Sequence, residues 1–172
     1  MPPGTNAELI ATASFSIEGI PFVFTNSAMG CLVDVDVDTG LTKIEKFWAV
    51  EDCGTQINPK LVEEQIRGGV VQGIGGALYE ECIYDEMGNL TNGNMADYLV
   101  PMAYEMPDII VDHVTTNSGR SILGAKGAGE AGTGGAPGAI MNAINDSLNS
   151  LNTEVTSQPI TPEKVLKALG KI

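Results

Sequence analysis

Apolar and polar residues alternate from Cys31 to Val37 and again from Leu41 to Val50, the pattern of strands with one buried face. Asp38-Thr39-Gly40 supplies a turn between them, so the two runs predict a hairpin that sets Ile44, Trp48 and Val50 on one face and ends at Asp52-Cys53-Gly54. Upstream, Ala11 to Ile17 and Pro21 to Phe24 are short runs broken by Glu18-Gly19, and they read as further β-structure. The period then changes. Asn58-Pro59 suits an N-cap followed by proline at the first helical position, and Lys60 to Cys82 predicts one long helix. Tyr84 to Pro107, punctuated by Met87-Gly88-Asn89, Asn92-Gly93-Asn94 and Pro101, reads as a hairpin or loop, and Asp108 to Thr115 as a strand. Gly124 to Gly138 reads as a glycine-rich loop opening onto a helix over Pro137 to Leu148, where Ile140, Ala143, Ile144 and Leu148 recur at helical spacing. Thr161-Pro162-Glu163 starts a last helix that Gly170 closes. The sum is one α+β domain over residues 1–172: N-terminal β-hairpins or a sheet packed with a long glycine-rich helix and C-terminal helices.

Composition narrows the function classes. With 43% apolar residues the chain can bury a core, and its formal charge of −13 would repel a phosphate backbone, so nucleic acid is excluded as a partner. No apolar run is long enough to span a membrane, and the first residues lack the basic and apolar regions of a signal peptide, which predicts a cytoplasmic protein. Cys31, Cys53 and Cys82 lie far apart and form no C-x-x-C pair, so they are expected to be core thiols in a reducing compartment, with no metal held by protein ligands.

Two constellations carry candidate chemistry. The long helix holds Gly68, Gly69, Gly73, Gly75 and Gly76, each costing a helix interior about 1 kcal/mol relative to alanine. Gln72 lies at their centre, with Gly68 and Gly76 four residues away on its own face. A helix surface so stripped of side chains fits either close packing on another backbone or a ligand lying against it. The second constellation is Gly124-Ala125-Lys126-Gly127-Ala128-Gly129-Glu130-Ala131-Gly132, a loop whose amides can approach a ligand closely beside a helix N-terminus, with Glu130 as its one carboxylate. From the residues alone, Glu130 reads as an ordinary solvated loop acid.

The strings Asp52-Cys53-Gly54-Thr55-Gln56-Ile57-Asn58-Pro59 and Gln65-Ile66-Arg67-Gly68-Gly69-Val70-Val71-Gln72-Gly73-Ile74-Gly75 are similar to a segment of the xanthine dehydrogenase and aldehyde oxidase family. Gly127-Ala128-Gly129-Glu130, the following Gly138 to Asp146, and the closing Gln158 to Leu166 resemble the same family in order, so the likeness covers nearly the whole chain. It implies the C-terminal part of a molybdopterin-binding subunit. The implied chemistry is oxidative hydroxylation of an aldehyde or N-heterocycle with oxygen from water, Glu130 being the general base beside the molybdenum. Gln72, Gly73, Lys126, Gly127, Ala128 and Gly129 are implied to lie at the cofactor, a molybdopterin or its cytosine dinucleotide form. Iron–sulfur clusters and FAD are then expected on partner subunits or domains, together with the remainder of the molybdenum-binding subunit, because the chain carries no motif for them and family members are several times longer.

One departure is Ala131-Gly132-Thr133 after Glu130, where many relatives have proline; this bears on loop shape and substrate. Other readings compete. Gly127-x-Gly129-x-x-Gly132 matches a dinucleotide fingerprint, but that needs a strand immediately before it and a second strand after the helix, whereas the polar Leu151 to Gln158 follows. Asp34-x-Asp36-x-Asp38 imitates a calcium loop with Thr39 where glycine is required, and alternates like a strand. His113, the sole histidine, reads as structural. A non-catalytic assembly or interface module is the alternative from another class.

Overall fold

The computed structural model describes residues 10–16 and 22–172. Strand β1 (Asn26–Val35) pairs antiparallel with β2 (Thr42–Asp52), and β3 (Ile109–His113) lies parallel on the other side of β2. Helix α1 (Pro59–Leu78) connects the two parallel strands, making a β2-α1-β3 unit; α2 (Ala131–Asn149) and α3 (Pro162–Ala168) follow. No helix among the described residues is long and apolar enough to cross a membrane.

The hairpin forms as its alternation predicts, with one change of phase. Leu32 pairs with Lys46 but Val33 with Ile44, so Glu45 is an extra residue, a β-bulge that inverts the parity of β2 beyond it. Ile44 is therefore buried, but Phe47, Ala49 and Glu51 follow it inward, while Trp48 and Val50 turn to the outer face at 39% and 36% exposure. The strands expected over 11–17 and 21–24 do not form at 11–16 or 22–25, where Phe15, Phe22 and Phe24 are exposed and no backbone ladder engages them; Ile17 and Pro21 lie outside the described residues.

Both long helices cover the inner face of the sheet. Ile66, Val70, Ile74 and Ala77 of α1 meet Ala136, Ile140, Ile144 and Leu148 of α2 over Phe47 and Ala49, and Val155, Ile160 and Val165 close the core. Asn58 caps α1 by accepting the Leu61 amide at 3.3 Å, as the Asn-Pro pair predicts, and the helix ends at Leu78, four residues short of Cys82. α2 starts earlier than its sequence suggests. Residues 131–138 are helical, and Pro137 sits inside α2 instead of at its first position. Packing explains this: Gly69 and Gly73 of α1 face Gly132, Thr133, Ala136 and Pro137 of α2, so the missing side chains let the two backbones approach. The pairs 69 with 132 and 73 with 136 show the helices running in the same direction. The first turn of α2 thus lies against the middle of α1, with both helices pointing their N-termini toward the end of the sheet where β2 and β3 finish.

Of the three free thiols, Cys53 is buried and Cys31 half-buried, but Cys82 is exposed, because α1 has already ended and the chain there is loop.

Candidate functional site

The carboxyl ends of parallel strands are where a β-α-β unit leaves its backbone groups and helix N-termini unoccupied by the core. Here β2 ends at Asp52, whose carboxylate is a junction. Its Oδ2 lies 2.9 Å from Lys126 Nζ, and its Oδ1 accepts the amides of Thr116 at 2.9 Å and Gly54 at 3.1 Å. The Lys126 ammonium, followed by the Thr116 amide, holds the Asp52 carboxyl well below the usual carboxylate range. Both side chains are nearly withdrawn from solvent, at 13% and 7% exposure. Gly54 turns with φ +63°, where a side chain would strike the Gly124 carbonyl, and Lys126 N donates to Cys53 O at 2.7 Å. The glycine loop therefore enters the site stitched to the end of β2.

It leaves through Glu130, the N-cap of α2. The Glu130 carbonyl accepts from Thr133 N at 3.1 Å and Gly134 N at 3.3 Å; its carboxylate makes no capping bond and the residue is exposed. The preceding Gly129 carbonyl accepts from Gln65 Nε2 of α1 at 2.9 Å. Thr133 Oγ1 donates to Gly69 O at 3.1 Å and is 3.4 Å from Gln72 Oε1. Gln65, Gln72, Thr133 and Glu130 consequently share one side of the α1–α2 pair.

Of the residues expected at a ligand, Gly127, Gly129, Glu130 and Gln72 are exposed on that side, and Ala128 is half-buried. A Cβ added at Gly68, Gly76, Gly127, Gly129 or Gly134 would meet nothing within 4 Å among the described residues. Two others are placed differently. Gly73 is buried, and a Cβ there would lie 2.6 Å from that of Ala136, so this glycine serves the helix contact; the Lys126 ammonium is committed to Asp52 and presents no free charge. Asp52, Gln65 and Thr133 escaped the sequence reading, although Asp52 and Gln65 stand inside the quoted strings.

The competing motifs are also resolved into local structure. Asp36 Oδ1 accepts the Asp38 and Thr39 amides in the hairpin turn. Among the described residues no group of three or more His, Cys, Asp or Glu is placed to hold a metal. β3 ends at His113, well before Gly127, so the glycine fingerprint lacks its strand-turn-helix setting.

Residues 4–107 match the profile of the molybdopterin cofactor-binding domain. The chain belongs to this family. It is part of a molybdopterin-binding subunit of the xanthine dehydrogenase type, and it is 44% identical over 146 residues to the nicotine 6-hydroxylase large subunit of Paenarthrobacter nicotinovorans, covering 85% of this chain and 18% of that one. The carbon monoxide dehydrogenase large chain of Afipia carboxidovorans is 35% identical over 158 residues, covering 92% and 19%. Among solved structures, quinoline 2-oxidoreductase from Pseudomonas putida 86 superposes with a TM-score of 0.83 at 42% identity over 86% of this chain and 19% of that one. The chain spans about a fifth of the length of the curated relatives it matches. The residues present fit the family's group: a helix-and-loop surface on which Gly68, Gly76, Gly127 and Gly129 carry no side chain lies beside the N-terminus of α2, with the carboxamides of Gln65 and Gln72 on the same side.

Proposed function

We propose that this chain is the portion of a molybdenum hydroxylase that holds one side of the molybdopterin and supplies Glu130 as the general base. The observation that carries the reading is the position of Glu130: it caps α2 on the glycine-bare side shared with Gln72, its carboxylate free of any capping bond. The bound cofactor would supply a two-electron acceptor beside the substrate carbon. In the overall reaction a substrate C–H becomes C–OH, water provides the oxygen, and two protons and two electrons are released.

Glu130 would accept at its carboxylate the proton released as the water-derived oxygen adds to the substrate. The Gln72 carboxamide would hydrogen-bond the cofactor, while the backbones of Gly127, Ala128 and Gly129 allow it to approach closely. Lys126 contributes through its backbone, its ammonium being held by Asp52. An N-heterocycle or an aldehyde fits the substrate class, and the names of the nicotine and quinoline relatives favour the heterocycle. The electrons leave through iron–sulfur and FAD groups on partner subunits, and the remainder of the molybdenum-binding subunit completes the pocket. A cytoplasmic complex belongs to the same reading.

Glu130→Gln in the assembled enzyme is expected to lower kcat by about 100-fold or more, the usual contribution of a positioned base, with molybdenum and pterin content unchanged. Wild-type turnover in a fully loaded variant would remove Glu130 from the mechanism. A purified complex free of pterin would instead favour the interface module.

A further inference from the structure

We infer that Gln65 is a positioning residue for Glu130, acting through the peptide that joins Gly129 to it. This rests on the reading of Glu130 as the base. Gly127 and Gly129 leave the approach to Glu130 with two residues of unusual backbone freedom and open space around both. A base on such a segment is aimed only if the segment is tied down, and a displacement of about 1 Å can cost on the order of 100-fold in rate.

Two side-chain tethers supply the constraint. At the entry, the Asp52–Lys126 pair fixes residue 126 to the end of β2. At the exit, Gln65 Nε2 donates to Gly129 O at 2.9 Å, fixing the carbonyl of the very peptide whose nitrogen belongs to Glu130. The Gln65 side chain is exposed, but its backbone is held within α1. Gln65 precedes Ile66, which is fully buried and whose carbonyl lies so close to Gly132 that a Cβ there would overlap it. The Gln65 bond therefore references the Glu130 backbone to the α1–α2 contact. Glu130 keeps its carboxylate for chemistry because a neighbour performs the anchoring.

The test compares Gln65→Met with wild type in the assembled enzyme. Expected are a kcat lowered about tenfold or more, a KM within twofold, unchanged pterin and molybdenum content, and deuterium exchange accelerated several-fold in the peptide spanning 127–131 while the sheet and the rest of α1 exchange as before. Wild-type kcat and exchange would overturn the inference, and so would lost pterin with unaltered exchange, which would make Gln65 a cofactor contact. If the Met variant fails to assemble, Gln65→Leu removes the donor without adding a charge beside Glu130, and the same readouts apply. Glu130→Gln run in parallel separates the failures: an active Glu130→Gln enzyme defeats the base assignment, whereas an inactive one beside a wild-type Gln65→Met enzyme defeats the positioning role alone.

Discussion

The α1–α2 pair carries the same residue types on two sides and uses them oppositely. On the packed side, Gly69 and Gly132 are glycine because the other helix's backbone occupies the space of a side chain, Gly73 because the Ala136 methyl does, and Glu51, on the inner face of β2, is sealed in at 1% exposure. On the open side, Gly68, Gly76, Gly127 and Gly129 have empty space over them, and Glu130 is exposed. Glycine on the first side is required by the chain itself; on the second, nothing among the described residues requires it. A residue whose cost is not recovered in the fold points to something outside the fold.

The sharpest way to break the contrast is at the packed side. Gly132→Ala would drive a methyl group into the Ile66 carbonyl and the Val70 amide, backbone atoms that cannot swing aside. The expected loss is about 3 kcal/mol, at the upper end for overpacking, read as a lowered midpoint in urea unfolding. A variant as stable as wild type would mean that α1 and α2 are not held at this separation.

Why the two sides could not be told apart in sequence follows from what fixes them. The hairpin turn, the Asn58 cap and the Thr161 cap of α3, whose side chain accepts the Lys164 amide, depend on neighbours within a few residues and were readable. The face of Trp48 was not: the bulge at Glu45 is fixed by the partner strand, and its one trace in the sequence is the pair of consecutive polar residues Glu45-Lys46, which an alternation continued from Ile44 to Trp48 and Val50 passes over. The start of α2 was hidden as well: seven glycines and a proline in Gly124 to Gly138 read as loop, and only the contact with Gly69 and Gly73 makes the first turns helical. Gln72 and Glu130 stood out within their glycine runs. Asp52 and Gln65 did not, since their partners Lys126 and Gly129 lie far along the chain.

Glu51 sharpens the contrast in glutamates. Neither carboxylate oxygen has a partner among the described residues; His113, in register on β3 and on the same inner face, has its Nδ1 likewise buried and unpartnered among them, and Cys53 lies two residues on along the same face. Burial alone pushes the Glu51 carboxyl up to about 7. An acid whose folded pKa exceeds its unfolded one binds its proton more tightly when folded, so its stabilising contribution is complete below the unfolded value and is lost as pH rises toward 7. Between pH 5 and pH 8 the protein should lose about 2 kcal/mol from this group, and Glu51→Gln, which cannot ionise, should flatten that slope. Equal slopes for variant and wild type would show that Glu51 ionises as easily folded as unfolded.

The smallest effect tests the open side. Gly76 lies within α1, exposed, with nothing near the position of an added Cβ. On helix propensity alone, Gly76→Ala should stabilise the cofactor-free protein by about 1 kcal/mol, a rise in Tm of about 2 to 4 °C for a chain of this size. The same methyl group would stand on the face where the cofactor is proposed to lie, so pterin content of the assembled enzyme should fall while the apoprotein becomes more stable. Opposite signs in the two measurements are the signature of a glycine kept for a ligand. A variant that gains stability and retains full pterin would show that Gly76 faces solvent in the assembled enzyme as well, and would shift the contact surface toward Gln72 and the 127–130 loop.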